Sequence, residues 1–364
     1  MSSFPRSRCA AWAALAFVLL IGPRSNAQSE FATVYSGRLE KLAAGVIVVE
    51  LADGRYLEIR VSKQTRYLKD GRGTRFSSLQ PGDDLRIEAR EDEDGFLHAD
   101  RVAVVIGDGS VPDKLPGLKR RVAAVFDGDS IVDSFIEKAR REATRFARDL
   151  PNYICSQSTT RFESETYKSW RTLDVVSADV IYEKGQERYR NIQLNGQPAK
   201  AQGMEQVTGS WSKGEFGTIL RHLFASDTAA EFKFVKDLEL GGRSARLYDF
   251  SVARHRSRWQ VRMPSQYVLT AYKGSVWLDE ETARPLRIEM EAIGLPHEFP
   301  LDKVEMMVEY SFVPIGSEQH LLPTQSENLA CWRTKRHCVR NRIEFGDYRK
   351  FTSESQLVGI TEEP

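Results

Sequence analysis

The chain has 364 residues, enough for two or three domains, because single hydrophobic cores stop growing well below that length. A hydrophobic share of 41% and a charged share of 28% are those of an ordinary globular protein, which excludes a disordered chain and a helical membrane bundle. A formal net charge of +1 excludes global attraction to polyanions, so any electrostatic function must be local.

The first residues read as an export signal. Arg6 and Arg8 precede an apolar run from Ala10 to Ile21, Gly22-Pro23 breaks it, and Ser25-Asn26-Ala27 offers the small residues that signal peptidase requires. As a helix this run reaches about 18 Å, short of a bilayer core of roughly 30 Å. Cleavage is expected after residue 27, leaving a periplasmic or secreted chain with no transmembrane segment; a retained N-terminal anchor is the alternative. Cys9 precedes the apolar run and is not placed like a lipoprotein's acylated cysteine. Cys155, Cys331 and Cys338 remain after cleavage. In an oxidising compartment Cys331 and Cys338 are expected to pair across a hairpin, leaving Cys155 as a buried free thiol.

From residue 28 to 107 the chain alternates short β-rich runs with turn signals, the pattern of a small all-β barrel. The predicted strands are Val34 to Leu42, Val46 to Leu51, Arg55 to Val61, Asp84 to Arg90 and Phe96 to Val105. Asp53-Gly54 and Asp94-Gly95 are hairpin turns, and Pro81-Gly82-Asp83 turns the chain into the fourth strand. Together with Leu79-Gln80-Pro81-Gly82-Asp83-Asp84-Leu85, these runs resemble a family of small bacterial extracytoplasmic domains of unknown function with an OB-like barrel. That resemblance implies a fold and no catalytic residue. Tyr56, Tyr67 and Phe76 are expected in the barrel core rather than as platforms for stacked bases. Glu91-Asp92-Glu93-Asp94-Gly95 reads as a solvated hairpin tip; it lacks the alternating ligands of a calcium loop.

Residues 108 to 129 read as a linker rich in Gly, Asp and Pro. A helix is predicted over 130–150, capped by Asp129 or Ser130 and stopped by Pro151, with Ile131, Phe135, Ala139, Ala143, Phe146 and Leu150 on one face. A second helix is predicted from Lys213 to Ala225, capped by Ser212. Elsewhere in residues 130–364 strands of period two dominate. Trp259, Val261 and Met263 alternate with Arg258, Gln260 and Arg262; Leu286, Ile288 and Met290, and then Val304, Met306, Val308 and Tyr310, repeat the pattern. Such strands have one buried and one wet face, as in an antiparallel sheet. About ten strands, at roughly 4.8 Å each, make a sheet near 45 Å wide that two helices cannot cover, so it must curl. Its interior is then either filled by side chains or left as an apolar cavity.

No phosphate loop, nucleophile elbow, zinc-protease helix or dinucleotide fingerprint is present, so no catalytic residue and no cofactor are expected. His337 with Cys331 and Cys338 would supply only three zinc ligands, and no metal is expected there. The basic stretches containing Arg254, Arg256 and Arg258, and Arg336 and Arg340, are either solvated hairpin ends or sites for an anionic headgroup. Nucleic acid is not an expected partner outside the cytoplasm.

The order of a leading amphipathic helix, many antiparallel strands and a second helix midway resembles the LolA- and RseB-like half-barrels of bacterial envelopes. The hairpin Gly274-Ser275-Val276-Trp277-Leu278-Asp279-Glu280-Glu281-Thr282-Ala283-Arg284-Pro285-Leu286-Arg287 carries the same resemblance: a strand ends at Asp, turns through Thr and re-enters after Pro. It implies a mainly β half-barrel that binds lipid or lipoprotein acyl chains, or senses envelope state, with envelope proteins as the other partner class. The expected ligand wall is Trp259, Val261, Met263, Ile288, Met290, Met306, Val308 and Tyr310, with adaptable methionines either meeting a guest or filling gaps in a dry core. The alternatives are a protein-interaction module with a filled barrel and a hydrolase, which would need a polar cluster inside a barrel whose inward series is almost wholly apolar.

Overall fold

The computed structural model describes residues 15–20, 32–105 except 70, 133–149, and 152–350 except 184, 185, 202, 208, 213, 316 and 317. The expected linker and expected cleavage site, Asp129, Ser130 and Ile131 lie outside the described residues, and no side chain is described for residues 15–20 or 146–149. In chain order the strands are β1 (Leu15–Leu20), β2 (Thr33–Ala43), β3 (Val46–Glu50), β4 (Arg55–Arg60), β5 (Arg66–Lys69), β6 (Arg72–Thr74), β7 (Asp84–Glu91), β8 (Leu97–Val104), β9 (Tyr153–Ser164), β10 (Arg171–Glu183) and β11 (Gln186–Leu194). They continue with β12 (Gln197–Pro198), β13 (Gly209–Ser212), β14 (Glu231–Leu240), β15 (Arg243–Val252), β16 (Trp259–Arg262), β17 (Gln266–Leu269), β18 (Ala271–Asp279), β19 (Pro285–Ile293), β20 (Leu301–Ile315), β21 (Glu318–Trp332) and β22 (Cys338–Lys350). The α-helices are α1 (Ser134–Asp149) and α2 (Thr218–Phe224).

β2, β3, β4, β8 and β7 close into a five-stranded barrel, because β8 pairs antiparallel with β7 and parallel with β4. Numbered within the barrel, the order is 1-2-3-5-4-1 with strands three and five parallel, the OB arrangement. Ile47, Val49, Leu57, Ile59, Leu85, Ile87 and Val102 fill it, each in the inward phase of its strand. The small β5–β6 hairpin on β8 was not expected from the sequence; its runs of four and three residues are too short to show a period. At the acidic tip Asp92 Oδ1 accepts from the backbone N–H groups of Asp94 and Phe96 at 3.1 and 2.8 Å, so its carboxylate shapes the turn. Tyr67 and Phe76 pack edge to face on each other and lie against the barrel core, whereas Tyr56, expected there too, leaves it.

The second sheet has eleven strands, ordered β12-β11-β10-β9-β22-β21-β20-β19-β18-β15-β14, antiparallel throughout. This is a curved half-barrel with α1 and α2 packed on its buried face, where Ile136, Ala139 and Ala143 meet Ile219, Leu220 and Leu223. Both helices differ from their predicted bounds. α1 begins at Ser134 because Asp133 caps it, its Oδ1 accepting from Phe135 N–H at 2.9 Å. α2 is a short helix starting at Thr218, since Gly214 and Gly217, at φ 112° and 123°, hold the preceding backbone outside helical space; Ser212 instead ends β13.

The hairpin that resembles the envelope half-barrels forms as expected. β18 ends at Asp279, whose Oδ1 accepts from Thr282 N–H and Oγ1–H at 2.8 and 2.7 Å while Arg243 Nε donates to its Oδ2 at 2.5 Å. The disulfide Cys331–Cys338 joins directly opposed residues of β21 and β22. Cys155 is buried and free, its thiol pushed up to about 12 by burial.

Trp259, Val261 and Met263 depart from the expected sheet. β16 and β17 leave the half-barrel as a hairpin, and β17 pairs with β4 of the OB barrel. Tyr267 stacks on Tyr56 at 4.8 Å, Arg55 donates to Gln266 at 3.1 Å, and Arg262 pairs with Glu58. Arg262, expected to face water, therefore faces the barrel.

Candidate functional site

The half-barrel's inner face changes character from one edge to the other. One cross-strand row runs Phe232, Phe250, Gly274, Met290, Met306, Asn328, Asn341, Arg161, Asp174, each paired with the next. From Phe232 to Met306 it is apolar, and from Asn328 onward it is polar. Gly274 allows the apolar half to bend, since a Cβ there would lie 1.9 Å from the Glu289 carbonyl oxygen.

The apolar half is packed. Seven of the expected wall residues (Trp259, Val261, Ile288, Met290, Met306, Val308 and Tyr310) are buried in one cluster beneath the helices, and Met263 lies against its edge. A depression of about 750 Å³ borders Met290 and Met306 together with outward-facing Lys273, Arg287, Glu289 and Glu305.

The polar half corrects the expectation of an almost wholly apolar interior. Asn341 exchanges two hydrogen bonds with Ser210, its Nδ2 donating to the Ser210 carbonyl at 3.0 Å and its Oδ1 accepting from Ser210 Oγ at 2.8 Å. Asn328 Nδ2 donates to Ser212 Oγ at 2.8 Å, Ser212 donates to the Glu215 carboxylate, and Tyr310 donates to the Glu215 carbonyl at 3.1 Å. Glu215 is 2% exposed. Burial raises its pKa, against the lowering effect of the Ser212 hydrogen bond. All six groups are buried, and they fasten β13 and the approach to α2 onto the sheet.

Beside them lies an open groove of about 990 Å³, lined by Phe162, Leu173, Leu194, Val207 and Val339 around Arg161, Asp174 and Ser210. Leu173 and Leu194 are 38% and 39% exposed, and both line this one groove. At the floor Arg161 forms a two-pronged pair with Asp174, Nε to Oδ1 and Nη2 to Oδ2, both at 2.6 Å. The guanidinium lies against Gly209, where a Cβ would come within 2.2 Å of it and φ is +110°, so only glycine fits. The groove is amphipathic, open, and large enough for an acyl chain with a polar end.

Period-two alternation is plainest in the apolar strands and does not mark these residues. The available signal was β9 itself: its inward phase, Tyr153, Cys155, Gln157, Thr159, Arg161, passes from apolar to charged while staying buried.

The candidate anion-binding arginines are not brought together. Arg254 donates to the Gly54 carbonyl at 2.6 Å, and Arg256 and Arg258 engage Asp227, so this stretch serves the junction and α2. Arg340 lies over Trp170 and Phe162, at 4.5 and 5.0 Å from the ring centres, and Arg336 is exposed at the disulfide hairpin.

The fold defines a class by architecture alone, a five-stranded OB-like barrel joined to a curved antiparallel half-barrel. Among solved structures, the chain resembles a LolA superfamily protein from Nitrosomonas europaea (13% identity, TM-score 0.32, covering 60% of this chain and 93% of that one). It also resembles a putative outer membrane lipoprotein-sorting protein domain from Vibrio parahaemolyticus (11%, 0.33, 61% and 94%) and the lipoprotein LppX of Mycobacterium tuberculosis (7%, 0.22, 61% and 98%). No family model and no curated protein matches the sequence. Likenesses this remote leave what the groove binds to the chain's own chemistry.

Proposed function

We propose that this chain is an exported, non-catalytic binding protein of the cell envelope, and that the groove between β9, β10, β11 and β13 holds a lipid-like amphiphile. The observation that carries this reading is the pairing of exposed Leu173 and Leu194 with the Arg161–Asp174 pair in one space of about 990 Å³. An apolar chain laid along Leu173, Leu194 and Val207 removes their surface from water, at roughly 25 cal/mol per Å². A polar head then reaches the ion pair without crossing apolar core. Export fits the disulfide, which persists in oxidising compartments.

The test is titration with a fluorescent fatty-acid analogue. Leu194→Asp alters an exposed position, so the fold should survive, and affinity should fall at least tenfold. Unmutated protein that binds no such probe, or a variant that binds it equally well, overturns the reading.

A further inference from the structure

We infer that the exported chain, once residues 1–27 are removed, accepts an extended apolar peptide strand between β13 and β16. The leader shows the fit. Its strand β1 runs antiparallel to β13, from Phe17 opposite Ser212 to Leu20 opposite Gly209, and parallel to β16, from Leu15 opposite Trp259 to Val18 opposite Arg262. β13 has no other strand partner among the described residues, and β16 has only β17 on its far side.

Removing the leader therefore opens a gap of two strand spacings, about 9.6 Å, which is the room for one strand. With the leader strand in place Ser210, Ser212, Trp259 and Val261 are all buried, so its removal strips both facing edges of their pairing partner at once. Natural sheets blunt an open edge with lysine, proline or a bulge, and Gly209-Ser210-Trp211-Ser212 has none of these. On the β16 side Arg262 is already committed to Glu58.

The edges also select the kind of partner. An acyl chain has no N–H or C=O to offer two facing strands, whereas an uncharged extended peptide satisfies both, as in strand addition to other sheets. The occupant is thus an apolar segment of about six residues from another polypeptide. This inference rests on export with leader removal, but not on the lipid groove.

The test uses protein exported through its own leader and purified from the periplasm, its N-terminus read by intact mass. A labelled peptide of the Leu15–Leu20 sequence, flanked by lysines for solubility, is titrated by fluorescence anisotropy. Saturable binding is expected, at least tenfold weaker when alternate residues of the peptide are N-methylated and unaffected by excess fatty acid. N-methylation acts on the ligand, so loss of folding cannot mimic the result. Equal binding of the methylated peptide, displacement by fatty acid, absence of saturable binding, or a chain that keeps its leader would each overturn the inference.

Discussion

His222 makes the helical cover of the half-barrel sensitive to acid. It lies in α2, is 4% exposed, and its Nδ1 has no hydrogen-bond partner among the described residues. Burial foremost, then Arg221 and Arg258, lower its pKa to about 4, with Asp227 opposing. A base depressed below its ordinary 6.5 favours the neutral folded form. The unfolded chain begins to take up the proton near pH 6.5, whereas the folded chain resists until about pH 4, so stability is lost across that interval. The full gap corresponds to ~3 kcal/mol at about 1.4 kcal/mol per pH unit, and to ~2 kcal/mol by pH 5. Urea unfolding of the wild type and of His222→Gln at pH 7 and pH 5 isolates this contribution, because every other titration is shared. The wild type should lose about 2 kcal/mol more than the variant. Equal losses, or an imidazole that titrates by NMR near 6.5, would refute the reasoning.

Glu215 should act in the opposite direction. Its raised pKa makes ionisation costly in the fold, so Glu215→Gln should gain stability relative to wild type as pH rises above 4.5, measured by the same unfolding series. Asp279→Ala should cost about 2–4 kcal/mol by removing the carboxylate that holds Thr282 and Arg243. Despite the burial that would raise it, those partners hold the Asp279 pKa below 3.8, so its support persists above that value and is lost in stronger acid. Reducing Cys331–Cys338 should lower stability by about 2 kcal/mol, read as a shift of the urea midpoint, because the bond closes a short loop. Tyr267→Ala should weaken the junction with Tyr56 and split one thermal transition into two by calorimetry. Cys155 should resist alkylation in the native protein and react on unfolding.

Much of the architecture was legible because it rests on local chemistry. Asp53-Gly54 and Asp94-Gly95 mark barrel hairpins whatever surrounds them, and the Asp279 to Pro285 turn closes on its own side chains. Period-two alternation identified Ile288, Met290, Met306 and Val308 as inward residues. What it lacked was long-range pairing. Trp259 and Val261 alternate like their neighbours, yet their hairpin joins the other barrel through β4, more than two hundred residues earlier in the sequence. The groove was hidden for a related reason. Leu173 and Leu194 lie on β10 and β11, and only the return of the chain at Gly209-Ser210 encloses a space between them and Arg161. The apolar run at Leu15–Leu20 shows a third limit: expected as part of an export signal and measured as a helix, it pairs as strand β1 between β13 and β16.

The central claim is that the groove holds an amphiphile, and its most direct test is mass spectrometry of solvent extracts from protein purified without detergent. The proposal predicts a lipid present in stoichiometric amount in wild-type extracts and depleted at least tenfold in Leu194→Asp. Extracts of the wild type that contain no lipid above those from an unrelated periplasmic protein would contradict it.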